Sequence, residues 1–439
     1  MRLLLILPTQ PGDDGRPIRK KKASVALNLN LALLAGYAPQ DVEVRIVNDF
    51  VEEVDLDWPC DLVGITTLIS CAPRAYQLGD EFRRRGAKVV MGGFHASWFP
   101  EEAARHCDAV VIGEADELWP QVIDDFRSGR LHSIYKAEEF PKLTGLPVPR
   151  YDLINQKQYQ VEVYPVESSR GCPFSCEYCA VTKFHGGVHR LRPVGEVIRD
   201  IKATGSRYIV FVDDNIIGNK EHALELFQAM IPLNIRWMAQ STMLMADDQK
   251  LLDAAVRSGM RLAWVGVESI DAQALAEVHR KINQVDEFER RIREFQKRGV
   301  LVGANMMFGF DHETREHYER TYEFVARNRV IPFLYILTPI PGTDLFTRLE
   351  KEGRILTHDW AKYTSYQTVY QPKSWSPQEQ DDMYFKMAVR LFNFKNNFLR
   401  TFPGIQLNNL KESFFIRLAA FIIGMGVGHA LRCRNQTHW

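Results

Sequence analysis

Short β-rich runs alternating with helix-length stretches constrain this chain more than any other feature. "RLLLIL", "VEVRIV", "DLVGIT", "AKVVMGG" and "DAVVIGE" recur through residues 1–135, separated by helical patterns such as "PRAYQLGDEFRRRG" and "PEEAARHC". Strands joined by helix-length crossovers lie parallel, and the crossovers put helices on the sheet faces. The fold class is therefore α/β, with an N-terminal doubly wound parallel sheet. Residues 136–160, with Pro141, Pro147 and Pro149, read as a linker. The alternation resumes over 161–345 with "VEVYPVES", "RYIVFV", "IRWMAQ", "LAWVGV", "VLVGANMMFG" and "PFLYIL". These are too few strands for a closed eightfold barrel, so a partial (β/α)6 barrel is expected. Residues 346–439 turn helical and aromatic.

Cysteine usage then narrows the chemistry. Of seven cysteines in 439 residues, three crowd into "RGCPFSCEYC" as Cys172, Cys176 and Cys179, spaced C-x3-C-x2-C. Cys60, Cys71, Cys107 and Cys433 are scattered. Three clustered thiols cannot pair off as disulfides, and zinc normally takes four ligands. Iron–sulfur clusters are usually held by four cysteines, so three leave one iron open to another ligand. A structural zinc site, completed by His185 or His189, is the alternative.

Both folds gather ligands beyond the carboxyl ends of their strands. In the first sheet those ends carry "PTQPGDDG", "TTLIS", "GGFHAS" and "GEAD", which offer Thr66, Thr67, Gly92, Gly93, Gly113 and Glu114. The glycines either let a ligand approach the backbone or make tight turns. In the second set, "SSRGCPFSCEYC" directly follows the first strand. "FVDDNI" supplies Asp213, Asp214 and Asn215, "MAQST" supplies Gln240, and "WVGVES" supplies Glu268. Helix caps and surface turns are the alternative at each.

The cysteine spacing after a strand of a partial barrel resembles the radical SAM superfamily. The resemblance implies a [4Fe-4S] cluster on Cys172, Cys176 and Cys179, its open iron chelated by the amino and carboxylate groups of S-adenosylmethionine. Reductive cleavage then gives a 5′-deoxyadenosyl radical. Tyr178 matches the position that packs on the adenine, and Asp213, Asp214, Gln240 and Glu268 fall where the methionine and ribose would be held. With "DLVGIT", "GGFHAS" and "VVIGEADELWP" ahead, and "TPIPGTDLFTRLEKEGRI" and "DWAKY" behind, residues 1–390 look like the cobalamin-binding branch containing hopanoid methylases and bacteriochlorophyll side-chain methylases. That implies a cobalamin-binding domain over 1–135, with Thr66, Thr67, Gly92, Gly93, Gly113 and Glu114 as its site. No Asp-x-His-x-x-Gly string occurs, and His95 lacks the preceding Asp, which fits a cobalamin without a histidine ligand or a domain that has lost the cofactor. The implied activity is methyl transfer to an unactivated carbon of a hydrophobic or natural-product small molecule, with an electron donor such as flavodoxin or ferredoxin. Cyclisation, oxidation or carbon–carbon coupling with the same cofactors is the alternative, and a non-enzymatic cobalamin or redox sensor a second.

Charge and hydropathy exclude other classes. With 55 basic and 55 acidic residues nothing draws the chain to nucleic acid. "MRLLLILPTQ" lacks a cleavage site, and a cluster-bearing chain with few cysteines suits a reducing cytoplasm. The uncharged run Leu418–Ala430 is shorter than the ~20 residues a span needs. The tail "FFIRLAAFIIGMGVGHAL" reads either as a terminal helix or as a membrane-interface segment with Arg417 snorkelling. "RKKK" at Arg19–Lys22 reads as a solvated loop, and "YFKMAVRLFNF" as helix core.

Overall fold

The computed structural model describes residues 1–12, 14–23, 28–278 and 282–401. The chain forms two compact units. The first is Met1–Gly171, Lys183–Ser206 and His358–Thr364; the second is Cys172–Thr182, Arg207–Thr357 and the described residues from Ser365 to Thr401.

The first unit opens with β1 (Arg2–Leu7), α1 (Leu29–Tyr37) and β2 (Glu43–Asn48). β3 (Leu62–Thr66), α2 (Ala72–Arg84), β4 (Lys88–Gly92), α3 (Phe94–Trp98) and α4 (Pro100–Ala103) follow. With β5 (Ala109–Ile112), α5 (Leu118–Arg127) and β6 (Ile134–Lys136) they build a parallel sheet of order β2-β1-β3-β4-β5-β6. Burial on both faces explains the unbroken apolar strands. Leu4 and Ile6 enter one core with Ala75, Leu78 and Phe82 of α2, whereas Leu3 and Leu5 enter the other with Trp119, Val122 and Ile123 of α5. Strand order reverses at β1, so the crevice such a sheet offers a ligand lies off the carboxyl ends of β1 and β3.

The proline-bearing segment packs rather than dangles. Leu143 and Leu146 cluster with Leu33 of α1, and the Arg150 N–H donates to Ala32 O at 2.9 Å. The first unit also contains β7 (Tyr164–Val166), β8 (Ser169–Arg170), β9 (Arg190–Leu191) and α7 (Val194–Ala203), with α6 (Ala180–Phe184) at its border.

The second unit alternates β10 (Tyr208–Phe211), α8 (Lys220–Met230), β11 (Arg236–Ser241), α9 (Gln249–Arg257) and β12 (Met260–Glu268). It continues through α10 (Ala272–Glu277), α11 (Phe288–Lys297), β13 (Leu301–Phe308), α12 (Arg315–Asn328) and β14 (Ile331–Ile336). Within it these strands pair in parallel in the order β14-β13-β12-β11-β10. α13 (Asp344–Lys351), α14 (Pro377–Leu391) and α15 (Phe394–Thr401) form the helical end. α14 starts at a capping box, Ser376 and Glu379 each serving the other's backbone N–H, with Pro377 in the first turn. Its Tyr384, Met387 and Leu391 are core, as the aromatic pattern predicted. Cys433 and the whole apolar tail lie outside the described residues. Among the described residues no helix is long and apolar enough to cross a membrane.

Candidate functional site

The three cysteines lie on one loop of the second unit. The Cys179 N–H donates to Cys176 O at 3.1 Å, closing a reverse turn around Glu177 and Tyr178. Cys176 is buried and its two partners half-buried, and none of the three is in a disulfide. Burial pushes the Cys179 thiol up, against hydrogen bonds from Thr182. Bound iron would reverse that, since a coordinated thiol is held as thiolate. Among the described residues no group of three or more His, Cys, Asp or Glu side chains is set to hold a metal ion. A cubane asks for a different donor set, one thiolate on each of three irons, and this loop offers three thiols for it. The alternative fourth ligand, His185, is engaged elsewhere: its Nδ1 lies 2.7 Å from Glu114 Oε1.

Tyr178 packs on the cluster formed by Ala274, Val278, Met307, Phe310, Leu337 and Leu345. Met307 is the last residue but one of β13 and Leu337 follows β14, so the cysteine turn sits at the carboxyl edge of the second sheet. The other expected residues lie at the same edge. Asp213, 1% exposed, and Asn215, 2% exposed, follow β10, and the Asn215 side-chain oxygen has no hydrogen-bond partner. The Ile216 N–H donates to the backbone of Gln240 at 3.0 Å, joining the β10 loop to the end of β11, where the Gln240 side chain is exposed. Glu268 ends β12 with φ 63°, a left-handed conformation costly for a residue with a Cβ, and its side chain is buried. Strain of this kind concentrates at functional positions.

The first sheet's carboxyl edge separates the expected residues into two groups. Thr67 is fully buried and bonded throughout. Its backbone N–H and hydroxyl both donate to Gly92 O at 2.7 Å, and the hydroxyl accepts from the Ala96 N–H at 3.0 Å. Gly93, at φ 93°, leaves only a tight space for a Cβ, which would lie 3.0 Å from Thr66 Oγ1 and from the backbone of Thr67. Gly113, at φ 84°, faces open space instead. Thr66, Gly92 and Gly113 are half-buried, and Leu68 beside them is 43% exposed. An open, glycine-lined edge with an exposed apolar side chain suits the face of a large planar ligand.

Glu114 stands apart from that edge. Arg170 donates to it at 2.7 Å and to Asp116 at 2.5 and 3.0 Å, and Arg190 and His185 also bind it. Burial alone would raise its pKa, but hydrogen bonds from His185 and Arg190 and the charge of Arg170 hold it down at about 2. These partners are 56 to 76 residues away, so no local pattern signalled them. His95 is likewise enclosed. Its Nε2 lies 2.7 Å from Tyr76 Oη, and its ring faces Phe99 and Trp360.

Comparison with known proteins agrees with this geometry. Residues 166–325 match the Radical SAM superfamily. The chain is 28% identical over 382 residues to bacteriochlorophyllide d C-12(1)-methyltransferase of Chlorobaculum tepidum, covering 84% of this chain and 83% of that one. It is 29% identical over 394 residues to the bacteriochlorophyllide d C-8(2)-methyltransferase of the same organism, covering 85% and 87%. The fold is shared with the radical S-adenosylmethionine methyltransferase TsrM of Kitasatospora setae, solved with cobalamin and a [4Fe-4S] cluster. There the TM-score is 0.62 at 16% identity, covering 87% and 85%.

Proposed function

We propose that this radical SAM enzyme is a cobalamin-dependent methyltransferase that adds a methyl group to an unactivated carbon of a hydrophobic or natural-product small molecule. The observation that carries the reading is the cysteine turn, packed through Tyr178 on the carboxyl edge that also bears Asp213, Gln240 and Glu268. When bound, the cluster with S-adenosylmethionine supplies a radical that takes hydrogen from carbon, and cobalamin supplies the methyl group.

The chain's residues hold and orient. Cys172, Cys176 and Cys179 would hold the cluster through three of its irons. Tyr178 would pack on the adenine. Asp213, Asp214 and Glu268 accept from the methionine ammonium and the ribose hydroxyls by charge-assisted hydrogen bonds, and Gln240 adds a neutral partner. Residues 1–135 supply the cobalamin site, with Thr66, Gly92 and Gly113 lining its edge and Thr67, Gly93 and Glu114 shaping the loops behind them. Residues 136–160 connect it to the barrel, 161–345, and 346–439 form the helical end. No general base is required, because hydrogen leaves the carbon as an atom. The one-electron donor is a small carrier of the flavodoxin or ferredoxin class.

The substrate reading is a polycyclic or isoprenoid molecule, by likeness to the bacteriochlorophyllide methyltransferases. Such a substrate partitions into membranes, and we read the exposed Phe394 and Phe398 of α15, continued by the apolar tail, as peripheral membrane contact.

The test is anaerobic reconstitution with reductant, cobalamin and S-adenosylmethionine. One methyl gained, with both 5′-deoxyadenosine and S-adenosylhomocysteine formed per turnover, is expected. Deoxyadenosine without methylated product overturns methyl transfer. Replacing Cys172, Cys176 or Cys179 by Ala should abolish cluster absorption and cleavage, while Cys60, Cys71, Cys107 and Cys433 replacements should spare both.

A further inference from the structure

The cysteine turn is fastened at one residue that carries no thiol. Between Cys176 and Cys179 stand only Glu177 and Tyr178. Glu177 is 7% exposed and makes four tethers. Its N–H donates to Val278 O at 3.3 Å, and its carbonyl accepts from the Leu345 N–H at 3.1 Å. Its carboxylate takes both arms of the Arg348 guanidinium, Nε at 2.7 Å and a terminal nitrogen at 3.0 Å.

Leu345 and Arg348 both belong to α13, the helix of "PGTDLFTRLEK". The Leu345 N–H is one of the first-turn donors that a helix leaves without an internal partner. The Glu177 carbonyl satisfies it. The forked arginine pair fixes direction as well as distance, which a single point contact does not. Tyr178 packs against the apolar cluster beside it. The turn that spaces Cys176 and Cys179 is thus held from one side by charge and from the other by packing.

We infer that Glu177 and Arg348 are a positioning pair that sets the geometry of the cysteine turn and balances the charge beside the cluster. The inference rests on Cys172, Cys176 and Cys179 being the cluster ligands. Charge near an iron–sulfur cluster moves its reduction potential, and the burial of Glu177, with Arg348 half-buried beside it, limits screening by water. The pair is neutral as a unit, so the two halves pull in opposite senses. Glu177→Gln leaves a cation and favours the reduced cluster. Arg348→Gln leaves an anion and disfavours it.

The experiment has two arms. In the iron-free protein, alkylation rates of Cys176 and Cys179 are followed by mass spectrometry, with circular dichroism to confirm folding. Faster labelling is expected in Glu177→Gln, Arg348→Gln and Arg348→Lys, because each loses the fork. In the reconstituted protein at pH 8, redox titration followed by electron paramagnetic resonance should show the midpoint raised in Glu177→Gln and lowered in Arg348→Gln. It should lie near wild type in Arg348→Lys and in the Glu177→Gln/Arg348→Gln double variant. Shifts of the same sign in the two single variants, or wild-type labelling in all, overturn the inference. A variant that fails to take up iron is decided by its labelling rate. Wild-type protein that takes up no iron overturns the cluster assignment itself, and this inference with it.

Discussion

Glu268 combines a buried carboxylate with a left-handed backbone, and the two are separable by substitution. Glu268→Ala removes the carboxylate and keeps the strain; Glu268→Gly removes both. Both are expected to weaken S-adenosylmethionine binding measured by equilibrium dialysis, while Gly exceeds Ala in chemical-denaturation stability by about 1 kcal/mol. Equal stability of the two would show that the backbone there is relaxed. Glu313 gives a pH handle in the same unit. Burial raises its carboxyl to about 8, although the Gly309 N–H bonded to it at 2.6 Å pulls the other way. A carboxyl raised on folding contributes stability that is full below its unfolded value, near 4.3, and is lost as pH rises through the folded value. Wild type should therefore lose stability between about pH 4 and pH 8 relative to Glu313→Gln. Parallel pH curves for the two proteins would remove Glu313 from that role.

Among the elements, α15 is inside out. Asn397, Arg400 and Thr401 are buried, while Phe394 is 62%, Phe398 47% and Leu399 42% exposed, the two rings stacked 6.2 Å apart. Substitutions at exposed positions usually change stability by within about 0.5 kcal/mol. Phe394→Glu/Phe398→Glu should accordingly leave the thermal midpoint unchanged and reduce flotation of the full chain with anionic vesicles, as should a chain ending at Leu410. If wild type stays with the soluble fraction, the membrane reading fails. This helix also marks where sequence patterns run out. Strands β1, β3, β4 and β5 were legible because burial on both faces leaves runs with no polar residue, as in Leu3 to Ile6, and β2 because it alternates apolar and polar residues along the sheet edge. α1 was not, since "LNLALLAGY" is apolar nearly all round and has no side-chain cap, so it shows no helical stripe. The cysteines were legible from spacing alone, and the carboxyl-edge residues from following the strands. The Glu177–Arg348 pair was not, because 171 residues separate its members and only the folded chain joins them.

At the scale of the molecule, sequence order and compactness part company. The sheet of residues 1–135 has its own cores, yet its unit also takes in Lys183–Ser206 and His358–Thr364. Cut off at residue 160, the chain loses Arg170, His185 and Arg190, the partners that cover the Glu114 carboxylate and leave its side chain 4% exposed in the whole unit. Losing the partners of a buried charge costs at most about 3–5 kcal/mol, less where the cut also opens the carboxylate to water. A fragment ending at residue 160 should therefore melt well below the same unit in the full chain, or without a cooperative transition, by differential scanning calorimetry. A fragment that melts with the full-length unit would show that the ion network is dispensable.

Trp360 carries this coupling into the life history of the chain. Its indole lies 4.8 Å from the Phe99 ring and 5.7 Å from His95, both in the first unit. A ribosome delivers those two residues more than 250 positions before Trp360, which at ~5–20 residues per second is tens of seconds. Through that interval the nascent sheet presents an uncovered aromatic surface, the kind of species that chaperones bind. The cysteines emerge midway, so iron delivered early would meet a loop without α13 to brace it. Maturation of this protein is thus scheduled by its own chain order, with metal loading favoured only after the last third has been made.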